Sequence, residues 1–71
     1  MLYSSFIALL EDRNCTCTQI GVNNAGDVCW LIENCSNGLE FPVAGNPSWQ
    51  VKPKVMQQVI EYLHLPPGFF Y

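Results

Sequence analysis

Basic residues are scarce in this 71-residue chain. Its only arginine and lysine residues are Arg13, Lys52 and Lys54. The chain has six carboxylate side chains, so the formal net charge is −3 at pH 7. A nucleic-acid-binding protein neutralises phosphates with clustered lysine and arginine side chains. The shortage of cations therefore argues against direct binding of DNA or RNA.

Charged residues of either sign are also few. They make up 13% of the chain, whereas 49% of the residues are hydrophobic. This composition excludes a disordered tail and predicts one folded domain over residues 1–71. A chain of this length buries a small core whose net stability is only about 3–5 kcal/mol, so we expect a partner or a homo-oligomer.

Targeting signals are lacking at the start of the sequence. The first ten residues have no basic n-region, and the apolar run is interrupted at residues 11–13, too early for a membrane span. We therefore expect a cytoplasmic protein that does not contact a membrane.

Cysteine and histidine, the side chains most typical of zinc sites, number only four and one in this chain. Cytosolic thiols stay reduced, and the Cys15-x-Cys17 spacing on a strand differs from the spacing of zinc-binding pairs. We expect the cysteines to pack as small apolar residues. The alternative is a zinc protein in which Cys15, Cys17, Cys29 and Cys35 bind the metal. His64 lies near the end of a predicted helix, with no nucleophile elbow motif in the chain. No cofactor, no metal and no enzymatic activity are predicted.

A β-hairpin is the clearest structural signal. Residues 27–33 are rich in β-branched and aromatic side chains, residues 39–43 alternate, and Asn37-Gly38 lies between them. Asn-Gly favours a tight turn with positive φ at its central residues. Alternation predicts a core face formed by Val28, Trp30, Ile32, Leu39, Phe41 and Val43, and an opposite face formed by Cys29, Leu31, Glu33 and Glu40.

Residues 15–22 are predicted to form the first strand. Its core face is predicted to carry Thr16, Thr18, Ile20 and Val22, and its opposite face Cys15, Cys17 and Gln19. Amphipathic spacing predicts one helix before this strand, capped by Ser4 or Ser5, and a second helix that starts at Pro53.

The predicted fold is therefore an α+β two-layer sandwich in the order α-β-β-β-α. Short connections make the strands a three-stranded antiparallel meander, and both helices cover one face of it. Pro66-Pro67 ends the second helix and leaves residues 66–71 as a proline and aromatic tail.

Three short segments resemble the HicA-type toxins, which have a double-stranded-RNA-binding-like fold. They are Gly26-Asp27, Gly38-Leu39-Glu40-Phe41-Pro42-Val43 and Lys52-Pro53-Lys54-Val55-Met56. The resemblance implies this fold over most of the chain. The family is basic and cleaves mRNA with a histidine whose place is held here by Val28, so the resemblance implies a toxin-antitoxin or RNA-handling protein without nuclease activity.

Acidic and aromatic residues outside the predicted core favour a protein-binding module. Glu33 and Glu40 can face each other across the hairpin, although ordinary solubilising charge would look the same. Aromatic residues without a periodic element either fold back on the core or anchor an interface. The predicted partner-binding residues are Asp27, Leu31, Glu33, Glu40, Trp49, Phe69, Phe70 and Tyr71.

The predicted function is therefore that of a small, acidic, non-enzymatic binding protein. The expected partner is another protein with a basic nucleic-acid-binding surface. One concrete version is a phage-type inhibitor of a host defence complex, similar to an anti-CRISPR protein. Its binding should weaken with salt, because salt screens charge attraction.

Overall fold

The helices and strands follow the predicted order in the computed structural model, which describes residues 1–70. The three strands form one antiparallel sheet in which neighbours in the chain are neighbours in the sheet, so the α+β meander is confirmed. Within the described residues, neither helix has the length and apolar character needed to cross a membrane. The elements are α1 (Tyr3–Asp12), β1 (Cys15–Val22), β2 (Val28–Asn34), β3 (Glu40–Gly45) and α2 (Pro53–Leu63).

Both helices cover the same face of the sheet. Trp30 and Ile32 of β2 are buried in one hydrophobic cluster, to which α1 and α2 each contribute. α1 packs mainly against β1, and α2 packs mainly against β3. The helical residues buried in this cluster are Tyr3, Phe6, Leu10, Val59 and Leu63.

α1 begins at Tyr3, ahead of the serines that were predicted to cap it. Leu2 occupies the N-cap position, and no side chain caps the helix. Instead, the Tyr3 N–H donates to the Trp49 carbonyl at 2.9 Å, and the Ser4 N–H donates to the Pro47 carbonyl at 3.2 Å. Helix-terminal N–H groups need acceptors, and here the loop after β3 supplies them.

The faces predicted for β1 are reversed. Cys15 is buried and Cys17 is half-buried, whereas Thr16 and Thr18 are exposed. Cys17 lies opposite the buried Ile32, and directly opposed residues share a face of the sheet. The β-branched residues indicated a strand correctly but not its buried side, because strand propensity describes a pleated surface and cysteine packs as a small hydrophobe.

The second half of β1 departs from regular pairing. A bulge lies between Gln19 and Gly21. Ile20 and Val22, which were predicted to be core residues, are 56% and 63% exposed. Gln19 lies opposite Trp30, so it shares the helix-facing side of β1 instead of the predicted open side, although its side chain is exposed.

The β2–β3 hairpin is confirmed, but its turn is longer than the predicted tight turn. Residues 35–39 connect the strands, and only Gly38 among them has a positive φ, of 75°. The Asn37 side chain donates to the Leu63 carbonyl at 3.0 Å and so joins the turn to α2. Leu39 precedes β3 and is 39% exposed, so it does not belong to the predicted core face.

The segment after α2 closes the core instead of standing free. Phe69 and Phe70 are only 7% and 6% exposed. The Phe70 ring stacks on Phe6 with centroids 5.1 Å apart, and the Arg13 guanidinium donates to the Phe69 carbonyl and lies over its ring. Burying each ring stabilises the fold by about 1.5–3 kcal/mol relative to leaving the ring in water. Without a partner, the buried position is therefore favoured. The predicted interface role is therefore wrong for Phe69 and Phe70, and Tyr71 lies outside the described residues.

Candidate functional site

The side of the sheet opposite the helices is called the open face here. Its residues alternate with the core residues of each strand, and none of them is buried. The open face consists of Thr16, Thr18, Cys29, Leu31, Glu33, Glu40, Pro42 and Ala44.

Two carboxylates lie directly opposite each other on the open face. Glu33 of β2 is the register partner of Glu40 of β3, as predicted. The next pair along the strands is hydrogen-bonded, since the Asn34 N–H donates to the Leu39 carbonyl at 2.9 Å. Hydrogen-bonded and non-hydrogen-bonded pairs alternate in an antiparallel ladder, so the two glutamates form a non-hydrogen-bonded pair. Side chains lie closer together in pairs of this kind. Like charges in this position destabilise a sheet.

The open face offers these carboxylates no counter-ion. None of the three strands contains a lysine or arginine residue. The contact made to Glu33 is a neutral one, a hydrogen bond of 3.4 Å from the Thr16 hydroxyl. The negative charges of Glu33 and Glu40 are therefore not neutralised by any cation in the three strands.

The basic residues lie in the helix layer. Arg13 follows α1 and holds the C-terminal segment through Phe69. Lys52 and Lys54 lie at the start of α2. The three cations thus lie outside the sheet, whereas acidic residues lie both on the open face and on the helices.

An apolar side chain lies beside the acidic pair. Leu31 is half-buried, two residues before Glu33 on the same face of β2. Thr18 and Pro42 lie opposite it on the two flanking strands. The structure therefore brings Leu31, Glu33 and Glu40 together, and this group combines a small apolar contact with two negative charges.

Asp27 and Trp49, also predicted to bind a partner, lie at the other end of the molecule. Both line a notch of about 280 Å³ with Tyr3 and Lys52. Glu40 and Ala44 are four residues apart on β3, and Ala44 lines the notch, so about 13 Å separates the notch from the acidic pair. The predicted residues thus form two groups rather than one surface.

The Trp49 side chain is presented by a fixed backbone. It is 58% exposed, while its N–H donates to the Asn46 carbonyl and its own carbonyl accepts from Tyr3, each at 2.9 Å. An aromatic side chain on an ordered loop loses little further entropy on binding. Burial, together with the nearby Asp27 carboxylate, raises the pKa of Tyr3, so this phenol at the notch stays protonated.

The cysteines do not converge on a metal site. Cys15 and Cys17 face the helices, whereas Cys29 lies on the open face. Over residues 1–70 no three cysteine, histidine or carboxylate side chains are grouped so that they could hold a metal ion. Burial, with smaller contributions from Glu11 and Cys15, raises the pKa of the Cys17 thiol to about 12, which removes it as a nucleophile at neutral pH.

Two residues with structural roles were not predicted from the sequence. Asn34 is 6% exposed, and its amide donates to the Leu63 carbonyl at 2.8 Å. A polar residue in phase with Trp30 and Ile32 was the available signal. Arg13 had none, because its partner Phe69 lies 56 residues away.

Comparisons of this chain with protein-family models, with curated proteins and with solved structures found no match. The function must therefore be inferred from the chemistry of the open face.

Proposed function

We propose that this chain is a non-enzymatic protein-binding module whose open face docks on a basic surface of another protein. The observation that carries the proposal is the Glu33–Glu40 pair, two directly opposed carboxylates on a sheet face whose strands contain no cation. Paired like charges do not stabilise the chain that carries them. A partner's lysine or arginine side chain between them would convert the repulsion into two attractive contacts.

The surroundings of the pair support a protein as the partner. Leu31 supplies apolar area next to the two charges, and Thr16 and Thr18 supply hydroxyl groups on the adjacent strand. Protein interfaces combine apolar contact at the centre with polar groups at the rim. A small ion would not use the apolar part of this arrangement.

The more specific form of the proposal is an inhibitor of a nucleic-acid-binding complex, similar to a phage anti-CRISPR protein. The net charge of −3 and the cation-free sheet suit competition with a phosphate backbone for a basic groove. Charge complementarity of this kind accelerates association at low salt and loses its effect when ions screen the charges.

The test uses a double variant with a matched control. Glu33→Gln/Glu40→Gln removes two charges from the open face, and Glu11→Gln/Asp12→Asn removes two from the exposed end of α1. The tagged variants are used to capture proteins from a lysate of the source organism at about 0.05 M and about 0.5 M salt. The bound proteins are identified, and each is then purified for direct binding measurements.

We expect the wild type and the α1 control to bind a protein with a basic nucleic-acid site at low salt, and added DNA or RNA to compete. The open-face variant should bind at least about tenfold more weakly, because each attractive close charge contact across an interface contributes about 1 kcal/mol or more. Equal binding by both double variants would refute the proposal.

The HicA-like alternative is supported by the shared order α-β-β-β-α. It predicts that the purified chain binds RNA directly, without cleaving it because Val28 occupies the place of the family's histidine. RNA binding that is unchanged by Glu33→Gln/Glu40→Gln would favour this alternative over the acidic docking face.

A further inference from the structure

Four side chains of different chemistry meet at the notch, away from the open face. The notch lies where the start of α1, the turn before β2, the end of β3 and the segment leading into α2 come together. Its lining includes the indole of Trp49, the carboxylate of Asp27, the phenol of Tyr3 and the ammonium group of Lys52. Ligand sites combine apolar walls with a few convergent polar groups. The notch has this composition.

The Tyr3 phenol is held rigidly beside the notch. Its side chain is only 7% exposed, and its ring stacks on Trp30 with centroids 5.9 Å apart. The hydroxyl-bearing carbon lies over Gly45, another lining residue, where a Cβ would collide with it. Among residues 1–70 no side-chain hydrogen bond uses this hydroxyl, and no enclosed side-chain oxygen lacks a partner, so the hydroxyl opens into the notch.

The Asp27 carboxylate is half-buried at the same place. The Asp27 N–H donates to the Asn23 side-chain oxygen, and the Asp27 carbonyl accepts from the Asn23 N–H, each at 3.0 Å. These backbone contacts fix the residue and leave its charge unneutralised. Burial is the largest reason that the pKa of Tyr3 is raised, and the Asp27 carboxylate is the second, which reflects the proximity of the two groups.

The acceptors and the aromatic face of the notch match one cationic group. A guanidinium group has five N–H donors and no acceptor, and it pairs with a carboxylate through two parallel hydrogen bonds. It also stacks on aromatic faces, whereas a lysine ammonium is a compact point charge. Asp27 and Tyr3 offer acceptor oxygens, and Trp49 offers an indole that is 58% exposed on an ordered loop.

We propose that the notch binds a guanidinium group. The Asp27 carboxylate accepts two of its N–H groups, the Tyr3 oxygen accepts another, and the Trp49 indole covers its face. The volume of about 280 Å³ lies below the range of about 300–1,000 Å³ that drug-sized ligands occupy, so it suits a single side chain. The net charge of −3 also favours a cation over an anion.

Lys52 also lines the notch, and its charge would repel a cation. Its side chain is exposed, and its long stem allows the ammonium group to stay in water. A ligand with a free carboxylate next to its guanidinium would gain a contact with Lys52. This difference distinguishes free arginine from an arginine residue within a protein, and the guanidinium is the recognised group in both.

This inference goes beyond the proposed function and uses different residues, since the notch lies about 13 Å from the Glu33–Glu40 pair. Glu33→Gln/Glu40→Gln therefore separates the two proposals. It should weaken docking of the open face and leave guanidinium binding at the notch unchanged. Each proposal can fail while the other holds.

The test titrates the isotopically labelled chain with N-acetyl-argininamide and follows the indole N–H signal of Trp49 by NMR. The matching citrulline derivative has almost the same shape without the charge, and the matching glutamate derivative reverses the charge. Trp30, which is 8% exposed, provides an internal control. We expect a dissociation constant on the order of 1 mM, the scale for a ligand of about 15 non-hydrogen atoms. The citrulline derivative should bind at least about tenfold more weakly.

Substitutions in the lining test each contact, and circular dichroism checks that each variant is folded. Asp27→Asn should weaken binding of the arginine derivative at least about tenfold, because the charge-assisted hydrogen bonds are lost. Tyr3→Phe keeps the buried ring and should weaken binding about threefold. Trp49→Ala should also weaken it about threefold, with the Gly45 amide as the reporter. Lys52→Gln should strengthen it, because a nearby like charge is removed.

Free arginine identifies the source of the group. Tighter binding of free arginine than of N-acetyl-argininamide, lost in Lys52→Gln, would support the free amino acid, and the reverse order would support an arginine residue of a protein. Equal binding of the arginine and citrulline derivatives, or tighter binding of the glutamate derivative, would overturn the proposal. An unchanged affinity in Asp27→Asn would overturn it as well.

Discussion

Asn34 shows how one buried polar side chain joins two elements. Its side-chain Nδ2 donates to the carbonyl of Leu63, the last residue of α2, and its side-chain Oδ1 accepts from the Ser36 N–H at 3.0 Å. Carbonyls at a helix end have no partner within the helix. Asn34 therefore satisfies an orphan acceptor and fixes the start of the β2–β3 turn in one step.

We expect Asn34→Asp to lower the free energy of unfolding by about 2–3 kcal/mol at neutral pH. The substitution replaces a donor with an acceptor beside the Leu63 carbonyl and buries a charge. Urea denaturation measures the loss. Asn37→Asp is the matched control, because Asn37 donates to the same carbonyl from an exposed position, and it should lose less than about 1 kcal/mol. Equal losses would show that burial is not the cause.

The Cys17 thiol makes stability depend on alkaline pH. Burial is the largest reason that its pKa rises to about 12 in the folded chain, against about 8.5 for a free thiol. Above pH 8.5 the unfolded chain loses this proton while the folded chain keeps it, so unfolding becomes more favourable. The contribution of the protonated Cys17 thiol to the free energy of unfolding is fully present below about pH 8.5 and is lost as the pH rises towards about 12.

We expect the urea midpoint of the wild type to fall between about pH 8.5 and about pH 11, and Cys17→Ala to reduce this slope. Cys35→Ala is the control, because Cys35 is exposed in the turn. Thiol alkylation gives a second measurement, in which Cys35 should react in the folded chain and Cys17 only after unfolding. An unchanged slope in Cys17→Ala would contradict the assignment.

At the scale of elements, the C-terminal segment acts as part of the core. Phe70 stacks on Phe6 and meets Phe69 edge to face, with ring centroids 5.0 Å apart in the second pair. A large-to-small substitution at such a site costs about 3–5 kcal/mol, comparable to the whole stability of a domain this small. Phe69 and Phe70 therefore pack as core residues, and we expect them to be needed for folding.

We expect Phe70→Ala, and deletion of residues 69–71, to unfold the domain or lower its melting temperature by more than about 10 °C. Trp49→Ala is the matched control, since it truncates a larger aromatic side chain that is 58% exposed. It should change the melting temperature by only a few degrees. A folded deletion variant with wild-type stability would show that the segment is dispensable.

The sequence was sufficient for the elements whose signals are local. α2 begins at Pro53, as predicted, and alternation placed Leu31 and Glu33 on the open face correctly. These predictions depend on periodicity and turn chemistry within a few residues.

The sequence was insufficient where distant residues decide the outcome. The register of β1 against β2 decides which face of β1 is buried, because a shift of one residue exchanges the two faces. The burial of Phe69 depends on Arg13, and the position of Trp49 depends on the start of α1. No periodic pattern near any of these residues carries that information.

At the scale of the molecule, the two layers differ in charge. The helix layer contains Arg13, Lys52 and Lys54 together with Glu11, Asp12 and Glu61, whereas the strands contain Glu33 and Glu40 but no cation. The acidic open face can therefore orient the molecule towards a positively charged surface before contact. All five elements nevertheless share one hydrophobic cluster, so neither layer has a core of its own.

We therefore expect a single cooperative unfolding transition. In Trp49→Phe the remaining tryptophan is Trp30, which is 8% exposed and stacked on Tyr3 with centroids 5.9 Å apart. Its fluorescence should shift to longer wavelength at the same urea concentration at which the helical circular dichroism is lost, because two-state unfolding gives coincident transitions for all probes. Trp30→Phe, which keeps only the exposed Trp49, should show a much smaller wavelength shift. A Trp30 transition that precedes the loss of helix would mean that the sheet opens while the helices persist, which is incompatible with one shared core.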